Sequence, residues 1–228
     1  MEPGGKRKPA TGSPPARASR SVQLRFATGL TSEEYVKQRA WLNASLERCP
    51  LHSGGNCGFA RHSAYERVEP PGACVARYYC PKGHVTFSLL PDCLAARLSS
   101  TLTEVEAVVA AVEISGGSRE VVAARLRPDV QLQGALRWMR RRMAAVAVAL
   151  VALKGLRPDL FAGRQPTLQD FRAALGVAQV LPCVRELARG QVSALPAPVG
   201  LGHRRPAPVS TGPPSQQEPG ADPPPGAN

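Results

Sequence analysis

The side chains best able to do chemistry in this 228-residue chain are crowded into one stretch. Cys49-Pro50-Leu51-His52, Cys57-Gly58 and Cys80-Pro81-Lys82-Gly83-His84 supply five metal-capable groups. Zinc takes four soft or borderline ligands at tetrahedral corners, and a tight turn after a Cys-Pro lets a ligand three or four positions on reach the same ion. Cys49, Cys80 and His84 are expected ligands. His52, in a Cys-x2-His knuckle, and Cys57, across a wider loop containing Gly54-Gly55, are alternatives for the remaining position. A fully coordinated ion leaves no place for a reacting water, so the expected cofactor is structural Zn2+. The competing reading is ordinary reduced cysteines and surface histidines, and the crowding of five candidates argues against it. Cys74, Cys93 and Cys183 read as core or free thiols, His62 as an edge residue, and His203 as part of the tail.

The second cluster with chemical meaning is cationic. A long helix is expected from about Leu132 to Leu153. On a wheel, Leu132, Leu136, Met139, Met143, Val146 and Leu150 form its core stripe. Arg137, Arg140 and Arg141 fall away from that stripe on one side, and Trp138 and Arg142 on the other. No acid occurs between Asp129 and Asp159, whereas a solvated helix normally mixes signs to form i, i+4 pairs. A helix, a Gly turn and a short helix precede this one, the order of a helix-turn-helix whose last helix enters the major groove. Arg137, Arg140, Arg141 and Arg142 are therefore candidate phosphate contacts on duplex DNA. A solvated basic face without a partner is the plainer alternative.

These groups must be positioned by the elements around them. Thr31 and Ser32 followed by Glu33-Glu34 start a lead-in helix carrying Tyr35, Gln38, Leu42 and Leu46 on one side. Ala64–Val68 and Cys74–Tyr79 flank Pro70-Pro71-Gly72 as a hairpin, with a third strand at Thr86–Leu89. This segment is poor in large apolar residues, and a bound metal would supply the folding energy it lacks. Helices are expected at Leu102–Ile114, Arg119–Arg125, Leu168–Ala174 and Pro182–Ala188. The first 20 residues read as a basic arm, and the Pro/Gly-rich stretch beyond Val192 as a tail.

Composition removes other function classes. No apolar run reaches the 18–20 residues of a membrane span, and the N-terminus has no apolar h-region, so neither a membrane partner nor a secretory signal is expected. The formal net charge of +12 favours a polyanionic partner. There is no P-loop, dinucleotide fingerprint, GxSxG, HExxH or deaminase signature, and the chain is read as a non-enzyme.

Arg77-Tyr-Tyr-Cys80-Pro-Lys-Gly-His84-Val-Thr-Phe87-Ser-Leu-Leu-Pro91 resembles the closing half of the zinc ribbon at the front of insertion-sequence transposases and their accessory proteins. Cys49-Pro50 and His62-Ser-Ala-Tyr65-Glu-Arg67 are similar to its opening. The resemblance implies a ribbon followed by helix-turn-helix DNA-binding segments. Gly83 stands where the family carries the second Cys of a C-x2-C, with His84 beside it. Only Asp159, Asp170 and Glu186 follow the helices before the tail, too little chain for a two-metal nuclease fold. The expected partners are duplex DNA and a separate catalytic transposase subunit, and the expected location is the cytoplasm. The fold class is read as mainly α with a small β zinc ribbon (α+β), organised as arm 1–20, lead-in helix 21–48, ribbon 49–93, helix-turn-helix region 94–192 and tail 193–228.

Overall fold

The computed structural model describes residues 20–202; most of the expected arm, His203 and the rest of the tail lie outside the described residues. The chain is α+β, with a four-stranded mixed sheet and seven α-helices among the described residues. The strands are β1 (Arg20–Phe26), β2 (Ala60–Glu66), β3 (Cys74–Cys80) and β4 (Val85–Pro91), in the order β1-β4-β3-β2. β1 runs parallel to β4, and the other pairings are antiparallel. The helices are α1 (Ser32–Lys37), α2 (Leu102–Ile114), α3 (Arg119–Leu126), α4 (Leu132–Leu156), α5 (Pro158–Phe161), α6 (Leu168–Leu175) and α7 (Val180–Leu187).

The sheet is larger than the sequence reading allowed. Arg20-Ser21-Val22-Gln23-Leu24-Arg25-Phe26 alternates apolar and polar residues, the period of a strand. Val22, Leu24 and Phe26 lie across from Phe87, Leu89 and Pro91. The expected lead-in helix shrinks accordingly. The capping box is present, with the Thr31 side chain accepting from the Glu34 N–H and Glu34 accepting from the Thr31 N–H, but the helix stops at Lys37. Arg39 then takes a left-handed conformation (φ 49°) and a single 3-10 turn, Ala40–Leu42, follows.

The two sheet faces have different tasks. Ala76, Tyr78 and Cys80 on β3 and Val85, Phe87 and Leu89 on β4 share one buried face with Ala44, Cys49 and Cys57. Val75 and Leu90 face the other way and pack with Leu94, Ala96, Val192 and Leu201. The expected tail therefore begins too early. Leu195, Val199 and Leu201 are buried, and the segment is tied down by Arg185. That guanidinium donates to the carbonyls of Val199 (2.8 Å), Pro198 (2.6 Å), Asp92 (2.8 Å) and Leu94 (2.6 Å). Burial pulls its pKa down to about 10.

The helical layer is organised by α2, whose buried face joins α4, α6 and α7 in the main apolar cluster. α7 has no side-chain N-cap of its own. Buried Glu106 on α2 caps it instead, accepting from the Val180 and Leu181 N–H groups at 2.9 and 2.8 Å. Two turns along α2, Glu113 does the same for Leu168 and Gln169 of α6. Carboxylates at helix N-termini are favoured by both the free N–H groups and the helix dipole. α4 runs three residues beyond its expected end, and its core stripe holds except at Leu132, which is exposed.

Candidate metal centre and basic helix face

The metal-capable groups come together at one end of the sheet. Cys80 closes β3, where the alternation of the strand turns its side chain towards the Phe87 face. Pro81–Gly83 folds into a turn in which the Gly83 N–H donates to Cys80 Sγ at 3.3 Å. From the other side, the turn Cys49–His52 is closed by the His52 N–H donating to the Cys49 carbonyl (3.2 Å), and a further turn brings the Gly55 N–H to the His52 carbonyl (3.1 Å). Asn56 (φ 54°) and Gly58 (φ 66°) fold the loop back so that Cys57 points inward. Phe59 then anchors the loop by stacking on Tyr78, 5.3 Å between centroids, with Phe87 edge-on at 5.9 Å. The Tyr78 hydroxyl donates to the Ala44 carbonyl beneath.

Cys49, His52, Cys57 and Cys80 result as one group, their ligand atoms all within 4.8 Å of one another. His52 Nδ1 lies 3.4 Å from Cys49 Sγ and 3.3 Å from Cys80 Sγ. A tetrahedral zinc with these donors needs ligand separations of about 3.5–3.8 Å. The donors present thus fit a thiophilic divalent ion, and the cluster could hold one such as zinc. His52 and Cys57, read from sequence as alternatives, both belong to the group.

His84 does not. Cys80 and Val85 are register partners on the same face, so the residue before Val85 points to the opposite one. His84 sits there with φ 50°, its Nδ1 3.3 Å from the Tyr79 hydroxyl, and His62 packs edge-on to the Tyr79 ring. The electrostatics of the four-residue group suit a cation. Burial opposes ionisation of Cys49, but the hydrogen bond to His52, helped by the Leu51 backbone and the other two thiols, outweighs it and brings the Cys49 thiol down to about 7. Burial pushes the Cys80 thiol up, against the Gly83 N–H, and its thiol neighbours raise it further. Crowded thiols can shed all their protons only when a positive ion takes their place.

The arginines of α4 divide differently from the sequence reading. Arg137, Arg140 and Arg141 are exposed at i, i+3 and i+4, on one face of the helix, and none makes an ion pair among the described residues. Arg142 is a correction, because it is buried at 5% exposure. Its guanidinium lies 4.1 Å over the Trp138 ring and donates to Ser100 Oγ (3.0 Å) and the Trp138 carbonyl (3.4 Å), while its Nε has no partner. Burial, with Arg127 and Arg141 nearby, lowers its pKa to about 10. The wheel placed Arg142 off the core stripe, but the loop carrying Ser100 folds over that side. α3 and α4 pack together beside α2, with Ser118 capping α3 at the Glu120 N–H.

The remaining thiols stand apart from the metal group; Cys74, Cys93 and Cys183 are free and half-buried. Among the described residues no helix is long and apolar enough to cross a membrane. Comparisons with protein-family models, with curated proteins and with solved structures find no match.

Proposed function

We propose that the chain is a metal-stabilised protein that binds duplex DNA without catalysing a reaction on it, akin to the DNA-reading front of a transposase and acting as an accessory factor or repressor. The observation that carries this reading is the exposed triad Arg137, Arg140 and Arg141, gathered on one face of α4 and making no ion pair among the described residues. Exposed guanidinium groups on one helix face can contact phosphates, and their binding releases condensed counterions. Arg142 plays no part at that surface; it holds α4 against the Ser100 loop. The metal, held by Cys49, His52, Cys57 and Cys80, fixes the loop that closes one face of the sheet, so its role is structural. A separate catalytic subunit would supply any cutting of DNA.

A second reading has its own observation. Beyond the arginines the same side of α4 continues as Ala144, Val148 and Val151, all exposed, with the two valines at 56%. An apolar continuation of this kind suits a protein partner, so the adaptor reading is the alternative. Fluorescence anisotropy with random-sequence duplex at 50 and 200 mM salt separates the two. The DNA reading expects affinity to fall steeply with salt. No binding at low salt by zinc-loaded protein would leave the adaptor.

A further inference from the structure

The four metal-capable residues are not equally accessible. Cys80 is fully buried. Beside it, a Cβ on Gly83 would lie 2.8 Å from Leu51 Cδ1, 3.4 Å from Cys80 Sγ and 3.6 Å from His52 Cε1, so the knuckle turn packs closely on the Cys80 thiol and the His52 ring. The loop from Glu47 to Phe59 lines an open cavity of about 420 Å³. Cys49, His52 and Cys57 all line it, and Cys80 does not. Gly54 and Asn56 also line it, and a Cβ on Gly54 would meet nothing within 4 Å. A water molecule occupies about 30 Å³ of liquid, so this space admits a small chelating molecule. Of the four ligands, His52 is the only one that is not buried.

From this geometry we propose that the metal is exchangeable through the cavity, passed to and from small thiol or nitrogen chelators, and is not locked into the fold. The proposal rests on the metal reading of the four residues. A donor entering the cavity would reach the ion beside Cys49, His52 and Cys57, and His52, the least buried of the four, would be displaced first. Cys80, which does not line the cavity, would be the last to let go. Each ligand bond lost is replaced by one from the chelator, a released thiolate takes up the proton that the chelator or buffer gives up, and no electron changes hands. Such a site would let the zinc supply of the cell set how much of the protein is folded at its ribbon end.

The test is stopped-flow release of zinc from the full-length, zinc-loaded chain to 4-(2-pyridylazo)resorcinol, a chelator that changes colour on binding. Entry through the cavity gives a release rate proportional to chelator concentration. Gly54→Phe, which adds a large side chain to the cavity lining at a residue that is not a ligand and whose φ is ordinary, should slow release about tenfold at unchanged zinc content. A rate that is independent of chelator concentration and unaffected by Gly54→Phe overturns the proposal, because release would then wait on the protein's own opening. If Gly54→Phe does not fold, the concentration dependence of the unsubstituted chain decides alone. A chain that takes up no zinc overturns the metal reading along with the exchange.

Discussion

At the scale of single residues, the parity of a strand decides which histidine joins the cluster that could hold a metal. His84 and Cys80 flank a turn at knuckle spacing, yet Val85 takes the position across from Cys80 and turns His84 to the Tyr79 side. Cys80→Ser and Cys57→Ser should each drop bound zinc well below one per chain after dialysis, and His52→Ala should weaken it. His84→Ala should leave the content unchanged, which metal analysis would show. The Cys-Pro pairs made the cluster legible in the sequence. Strand parity was not legible there, because it depends on where β4 begins. The thiols also set a pH dependence. Cys49, depressed to about 7, and Cys80, raised by burial, must both be deprotonated to bind zinc. Protons therefore compete more strongly as pH falls, and zinc retention in a competition titration should decline from pH 8 to pH 6.

Buried arginines belong to the same scale. Arg185 makes four bonds to carbonyls, and two of these, on Pro198 and Val199, hold the 193–202 segment to α7. Arg185→Met should cost about 3–5 kcal/mol in denaturant unfolding, since it strands several buried acceptors at once. That segment was unreadable in advance. Pro196, Pro198 and Gly200 suggested a tail, and the guanidinium from α7 shows why Leu195, Val199 and Leu201 can be buried there.

At the scale of elements, α4 carries both the core of the helical layer and its charged surface. Its core stripe at i, i+4 and i+7 was visible from sequence and is observed, with Leu132 as the exception. Its outer face was visible only in part, because the wheel cannot register a loop that folds back over Arg142. Substituting Arg137, Arg140 and Arg141 together by Ala should reduce the slope of log affinity against log salt by about 0.9 for every phosphate that is no longer neutralised. Circular dichroism should be unchanged, as all three side chains are exposed. β1 escaped the sequence reading for a different reason. Its alternation spans seven residues beside a basic, proline-containing N-terminus, and its pairing partner β4 lies more than sixty positions away in the sequence.

In the whole molecule, a loop carrying the metal-capable cluster on one face of the sheet is joined to a helical layer that presents exposed arginines. The two are connected through β1, where Arg25 pairs with Asp92 at 2.7 Å and with Glu186 of α7 at 2.6 Å. Removing zinc should therefore lower the melting temperature and expose Phe59, whose stack on Tyr78 depends on the loop. The most direct test is anisotropy of labelled duplex DNA titrated with zinc-loaded protein at two salt concentrations, with the triple arginine variant alongside. A DNA-binding α4 predicts binding that weakens steeply with salt and a shallower slope for the variant. Equal slopes for the two proteins, or no binding at low salt with one zinc per chain in place, would contradict it.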